Sequence, residues 1–173
     1  SQQDRHKLCG GVQLLVDMSR AFDSVDRNRL FARLHELGVR KEVVKLLTAW
    51  HSDTCYIVQT GDVSTQVSVE RGLRQGCKAA PWLWNSTMAL ILTDLAGHID
   101  RSWLQQHTNL YADDIQAGDI FYSEAELMCI LHKFAVILSM LQSYGLLINE
   151  DKSMILIAMT GTSQQQRSEE RRV

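Results

Sequence analysis

Residues 107–111 and 115–120 are two β-prone runs, and only Ala112-Asp113-Asp114 lies between them. A connection that short joins antiparallel strands only, because a parallel crossover needs a dozen residues or more. The same reasoning applies to the alternating runs 55–60 and 65–70, which are interrupted at Gly61-Asp62. The fold must therefore contain hairpins and an antiparallel sheet. A further short apolar run, GVQLLVD at 11–17, ends on an acid and reads as a buried strand.

Helices fill much of the remaining chain. Ser24 or Asp26 can cap a helix whose apolar face carries Leu30, Phe31, Leu34 and Leu37, and Gly38 stops it. A second helix is expected over 41–51, with Val43, Val44, Leu46, Leu47 and Trp50 turned inward. Pro81, the one proline, suits the first turn of a helix that ends at Gly97. Residues 123–144 form a long amphipathic helix, with Ser123 and Glu126 as a capping box and Gly145 as its end. Short strands are expected at 146–148 and 154–158. This mixture of hairpins and helices predicts an α+β fold, a small antiparallel sheet with helices packed on one face.

Composition sets the class. The 173 residues are 45% hydrophobic and 22% charged, enough apolar surface for a core. A formal net charge of −2 argues against an isolated nucleic-acid binder, which carries a basic surplus. It leaves room for an enzyme segment that concentrates carboxylates at metal ions. Cys9, Cys55, Cys77 and Cys129 lack zinc-ligand spacing and suit a reducing compartment. No signal peptide or membrane-length apolar run is visible. The first residue is not methionine and both ends are polar, so the ends read as cut points. Residues 1–10 are expected to fray, 11–158 to form the domain, and 159–173 to be a polar disordered tail or linker.

Asp17 closes the first strand, and Asp113 and Asp114 sit at a hairpin tip. Acids are common in turns, and the pair taken alone reads as a solvated turn. Adjacent carboxylates also repel, which a divalent cation relieves. Magnesium prefers such oxygens and keeps positions free for substrate phosphates.

The surrounding text then matters. Tyr111-Ala112-Asp113-Asp114 resembles the YxDD signature of reverse transcriptases. Leu14-Leu15-Val16-Asp17, followed by Ala21-Phe22-Asp23-Ser24-Val25, resembles their first palm motif in the form typical of non-LTR retrotransposons. Residues 71–81, RGLRQGCKAAP, resemble the R-G-x-x-Q-G motif. Gly145-Leu146-Leu147-Ile148-Asn149 with Lys152-Ser153 resembles the later G-L-x-L-N-x-x-K motif. All four stand in family order.

The resemblance implies a right-hand polymerase palm, with part of the fingers, that performs RNA-directed DNA synthesis. It implies two Mg²⁺ ions, for which Mn²⁺ can substitute. Asp17 and Asp113 would bridge both ions, with Asp114 as a weaker third carboxylate and the Met18 carbonyl as a further donor. Phe22, five residues after Asp17, would exclude a 2′-hydroxyl. Gln75 and Gly76 would lie beside the nucleotide and template base, and Lys152 near the departing pyrophosphate. Arg71, Arg74 and Lys78 form a basic cluster that either contacts phosphate or pairs with nearby acids such as Glu70. Implied partners are an RNA template, a DNA primer, dNTPs and the fingers, thumb and possible endonuclease of a parent polyprotein, with no membrane. The resemblance also implies a nuclear location, and that this segment alone polymerises poorly. Two alternatives stay open: a viral-type RNA-dependent RNA polymerase palm, and an inactive relic or scaffold.

Overall fold

Alternation along β1 (Cys9–Ser19) organises the sheet. Val12, Leu14, Val16 and Met18 are buried, while Gln13, Leu15 and Asp17 take the opposite, more open face. The computed structural model describes residues 8–74, 76–160 and 169–172. It comprises two units: Ser1–Ser19 with Thr93–Gln142 and Leu147–Val173, and Arg20–Leu92 with Ser143–Leu146.

The first unit is a six-stranded sheet in the order β4 (Thr108–Tyr111), β5 (Asp114–Phe121), β1, β7 (Met154–Thr160), β8 (Glu169–Arg172), with β6 (Leu147–Ile148) also on β1. Every pairing is antiparallel. On β5 the buried set is Ile115, Ala117 and Phe121, which continues the buried face of β1. Helix α6 (Glu124–Ser143) buries Ile130, Phe134, Ile137 and Leu141, an apolar stripe at helical spacing. At its start Ser123 Oγ accepts the Glu126 N–H at 3.2 Å, and Glu126 Oε2 accepts the Tyr122 N–H at 2.6 Å. This is the expected capping box, with the return bond one residue earlier.

Several features of this unit depart from the sequence expectation. Helix α5 (Arg101–His107) stands where no helix is expected and takes in His107, read from the sequence as the start of a strand; its Asp100 cap accepts the Trp103 N–H at 2.9 Å. Glu169–Arg172 pairs with β7 as a strand rather than continuing a disordered tail, and Met159 and Thr160 belong to β7. Strand pairing uses backbone groups, so an apolar-poor segment can still complete an edge. Residues 161–168 and 173 of the expected tail lie outside the described residues. At the other end, Cys9 and Gly10 are already in β1, inside the segment expected to fray.

The second unit begins with α1 (Ala21–Ser24), α2 (Arg27–Glu36) and α3 (Lys41–His51). Asp26 Oδ1 caps α2 by accepting the Arg29 N–H at 3.1 Å. The Tyr144 carbonyl accepts the Asp26 N–H at 3.0 Å, and the Arg29 guanidinium lies 4.1 Å over the buried Tyr144 ring. On α3 the expected inward face is only partly right. Leu47 is buried and Val43 and Val44 are half-buried, but Leu46 and Trp50 are exposed. His51 is buried instead, its Nδ1 2.9 Å from the Leu47 carbonyl and its ring edge-on to Phe31. The hairpin β2 (Cys55–Thr60) and β3 (Val63–Ser68) follows, largely exposed. α4 (Ala80–Leu95) carries Pro81 in its first turn, as expected.

Candidate active site

The β1–β5 register sets Asp17 directly opposite Asp114. Residues opposed across an antiparallel pair share a face, with Cβ atoms about 5 Å apart. Like charges so placed are destabilising unless a cation lies between them. The arrangement follows from the hairpin: Tyr111 pairs with Asp114, so Ala112 and Asp113 alone form the loop between β4 and β5. Ala112 has φ +53, a left-handed conformation rare for a residue with a Cβ, and such strain clusters at functional sites. Asp113 occupies the exposed tip.

Asp17 and Asp114 line one cavity of about 430 Å³ together with Leu15, Asn109, Tyr111, Gln116 and Lys152. The Lys152 ammonium lies 3.9 Å from Asp17 Oδ1. Asn149 Nδ2 donates to Asp17 Oδ2 at 2.9 Å, and the Asn149 N–H donates to the Asp17 carbonyl at the same distance. The Asp17 N–H donates to Ser153 Oγ at 3.1 Å. Asn149 and Ser153 belong to a recognisable motif, but nothing in that motif shows that they touch Asp17. A larger hollow of about 880 Å³ runs along the same open face past Gln13, Gly118 and Leu156. It lacks paired carboxylates: its acid, Asp119, accepts the Trp103 Nε1–H at 2.6 Å.

The remaining sequence candidates divide between the units. Met18 is buried and lies opposite Ile148 in the β1–β6 pairing. Phe22, in the second unit, stacks on Trp84 with ring centroids 5.1 Å apart. Its carbonyl accepts the Leu73 N–H at 2.6 Å, which ties the 71–74 loop to the Phe22 turn. Trp84 is a neighbour that the spacing of α4 does not single out. Gly76 has φ +81 and open space where a side chain would stand, and Gln75 lies outside the described residues. In the basic neighbourhood the charge facing Glu70 includes Arg27, which sequence reading overlooked. Burial holds the Arg27 guanidinium below its ordinary pKa, with Glu70 opposing the shift. Arg27 Nη2 donates to the Val69 carbonyl at 2.6 Å.

Among the described residues no three His, Cys, Asp or Glu side chains are gathered into a ready-made metal cage. Asp17 and Asp114 nevertheless fit a magnesium site of the open kind. They supply hard oxygen donors on one face of a cavity and leave most coordination positions to water and phosphate oxygens.

Known proteins show what the chain as a whole is similar to. The family described as reverse transcriptase (RNA-dependent DNA polymerase) matches residues 2–170. The chain is 27% identical over 131 residues to the 115 kDa protein in type-1 retrotransposable element R1DM of Drosophila melanogaster, covering 75% of this chain and 12% of that protein. It is 27% identical over 97 residues to the retrovirus-related Pol polyprotein from type-1 retrotransposable element R2 of Popillia japonica, covering 55% of this chain and 13% of that one. The chain thus spans about an eighth of these relatives' lengths. In fold it is similar to apo telomerase from Candida tropicalis truncated from its C-terminal domain, with TM-score 0.58, 14% identity and coverage of 96% of this chain and 36% of that one. Telomerase from the same organism in complex with a fragment of telomeric RNA gives TM-score 0.60, 11% identity and coverage of 96% and 28%. The mixed helix and antiparallel-sheet fold is thus that of a polymerase palm, and the chain belongs to the reverse transcriptase (RNA-dependent DNA polymerase) family.

Proposed function

We propose that the chain is the catalytic core of a non-LTR retrotransposon reverse transcriptase, which extends a DNA primer along an RNA template. The supporting observation is the register that sets Asp17 against Asp114, both lining one cavity, with the Lys152 ammonium 3.9 Å from Asp17 Oδ1. In the reaction the primer 3′-oxygen bonds to the α-phosphorus of a dNTP as the bond to the β-phosphate oxygen breaks. Pyrophosphate leaves and the hydroxyl proton passes to solvent.

Asp17, Asp113 and Asp114, with the Met18 carbonyl, would hold two Mg²⁺ ions, whose charge would steady the attacking and leaving oxygens. The chain's own residues supply the alignment. The strand pairing fixes the backbone that carries the two carboxylates before substrate arrives, so less reorganisation remains for the chemical step. Lys152, 3.9 Å from Asp17 Oδ1, would offer its ammonium to charge growing on pyrophosphate. On the strength of the motifs, Phe22 excludes ribonucleotides, and Gln75 and Gly76 meet the nucleotide and template base. Fingers and thumb from a parent polyprotein complete the enzyme, and a nuclear site of action accompanies this reading. The RNA-dependent RNA polymerase alternative finds no support in the family match.

Primer extension on an RNA template tests the proposal in a polypeptide with the flanking segments restored. Asp17→Asn and Asp114→Asn are each expected to lower the rate by about 100-fold or more, the scale of a lost transition-state contact. Phe22→Ala is expected to admit ribonucleotides. Undiminished extension by Asp17→Asn would refute the proposal.

A further inference from the structure

We infer that the Asn149–Ser153 turn is a positioning device that decides which oxygen of Asp17 is offered to a cation. The inference rests on the reading of Asp17 as a metal ligand. A carboxylate free to rotate presents either oxygen. Here the Asn149 amide occupies Oδ2 at 2.9 Å. Oδ1 is left facing Lys152 at 3.9 Å.

The main chain of Asp17 is held by the same turn. The β1–β7 ladder reaches only Leu15 opposite Met154, so Asp17 lies beyond its end. There the Asn149 N–H donates to the Asp17 carbonyl at 2.9 Å, and the Asp17 N–H donates to Ser153 Oγ at 3.1 Å. The Ser153 hydroxyl lies 3.3 Å from the Asp17 carbonyl as a donor. Ser153 is fully buried, so water offers its hydroxyl no alternative. The turn is itself closed, because the Lys152 and Ser153 N–H groups donate to the Asn149 carbonyl at 3.2 and 2.8 Å. One side-chain contact would be ordinary packing. Contacts to the N–H, the carbonyl and the carboxylate of one residue, all from one short turn, constrain both its backbone and its rotamer. Outer groups of this kind orient metal ligands, and their removal typically weakens metal binding about 10- to 100-fold.

The test is a Mn²⁺ titration of the 173-residue chain, followed by water-proton relaxation, with circular dichroism as the check on folding. Asn149→Ala is expected to weaken Mn²⁺ binding about 10-fold with the fold retained. In an Asp17→Asn background the same change is expected to cost nothing further, because Asn149 acts through Asp17. Should Asn149→Ala not fold, Asn149→Ser keeps a turn-forming residue, lacks the long amide, and gives the same comparison. Mn²⁺ affinity unchanged in the Asn149 variants but lost in Asp17→Asn would overturn the positioning role. An equal loss on top of Asp17→Asn would overturn it too. Affinity unchanged even in Asp17→Asn and Asp114→Asn would instead sink the metal site itself.

Discussion

Replacing Gly72 with alanine should destabilise the chain far more than the same change at Gly38, although the two glycines share a backbone conformation. Their φ angles are +85 and +86, so the conformational cost of a Cβ, about 1 kcal/mol, is common to both. At Gly38 an added Cβ meets nothing within 4 Å. At Gly72 it would stand 2.5 Å from the Asp23 carbonyl oxygen and 2.6 Å from the Asp23 Cα, which are main-chain atoms of α1 and cannot swing aside. The loop must therefore lift. Lifting strains the Gly72 N–H bond to the Val25 carbonyl and the Leu73 N–H bond to the Phe22 carbonyl. Each is worth about 1 kcal/mol. It also begins to uncover Leu73, which is 1% exposed and whose full burial is worth about 2 kcal/mol. The total for Gly72→Ala is about 3–4 kcal/mol, against about 1 kcal/mol for Gly38→Ala. Urea unfolding followed by circular dichroism measures both, and both sites lie in the same structural unit, so the comparison is like for like. Equal losses at the two sites would refute the close-approach argument.

Two further outcomes follow from the first unit. Phe134, 1% exposed in the α6 stripe, should cost about 3–5 kcal/mol as Phe134→Ala and much less as Phe134→Leu, measured in the same urea series. Hydrogen bonds from the Ser102 hydroxyl and then the Trp103 N–H hold the Asp100 carboxyl below its ordinary pKa. Its capping of α5 is therefore fully present above the ordinary aspartate value of about 4 and is lost as acid protonates it below that. The Trp103 backbone amide resonance, whose N–H the Asp100 carboxylate accepts, should report fraying of α5 in that acid range for the wild type and not for Asp100→Asn, which caps without titrating; identical acid profiles would contradict this.

How far the site could be read from sequence depends on what each signal encodes. The tight Ala112-Asp113 loop and the strand closed by Asp17 were legible because a short connection fixes antiparallel pairing and alternation fixes the face. The pairing partner was not. The register sets Asp17 against Asp114. The outward turn of Leu46 and Trp50 was hidden because periodicity says which residues share a face, not whether anything covers it. Helix α5 was missed because seven residues hold too few apolar positions to show a period. β8 was missed because its pairing with β7 needs no apolar side chain. The grip of Asn149 and Ser153 on Asp17 joins residues more than a hundred positions apart, and no local pattern carries such a contact.

The most direct measurement is an anomalous difference map from crystals of the protein soaked with Mn²⁺ and a non-hydrolysable dNTP. The account predicts metal density bonded to Asp17 Oδ1 and to a carboxylate of the 113–114 hairpin, with phosphate oxygens completing the shell. Metal bound elsewhere, with both acids left bare and Lys152 still beside Asp17, would contradict it.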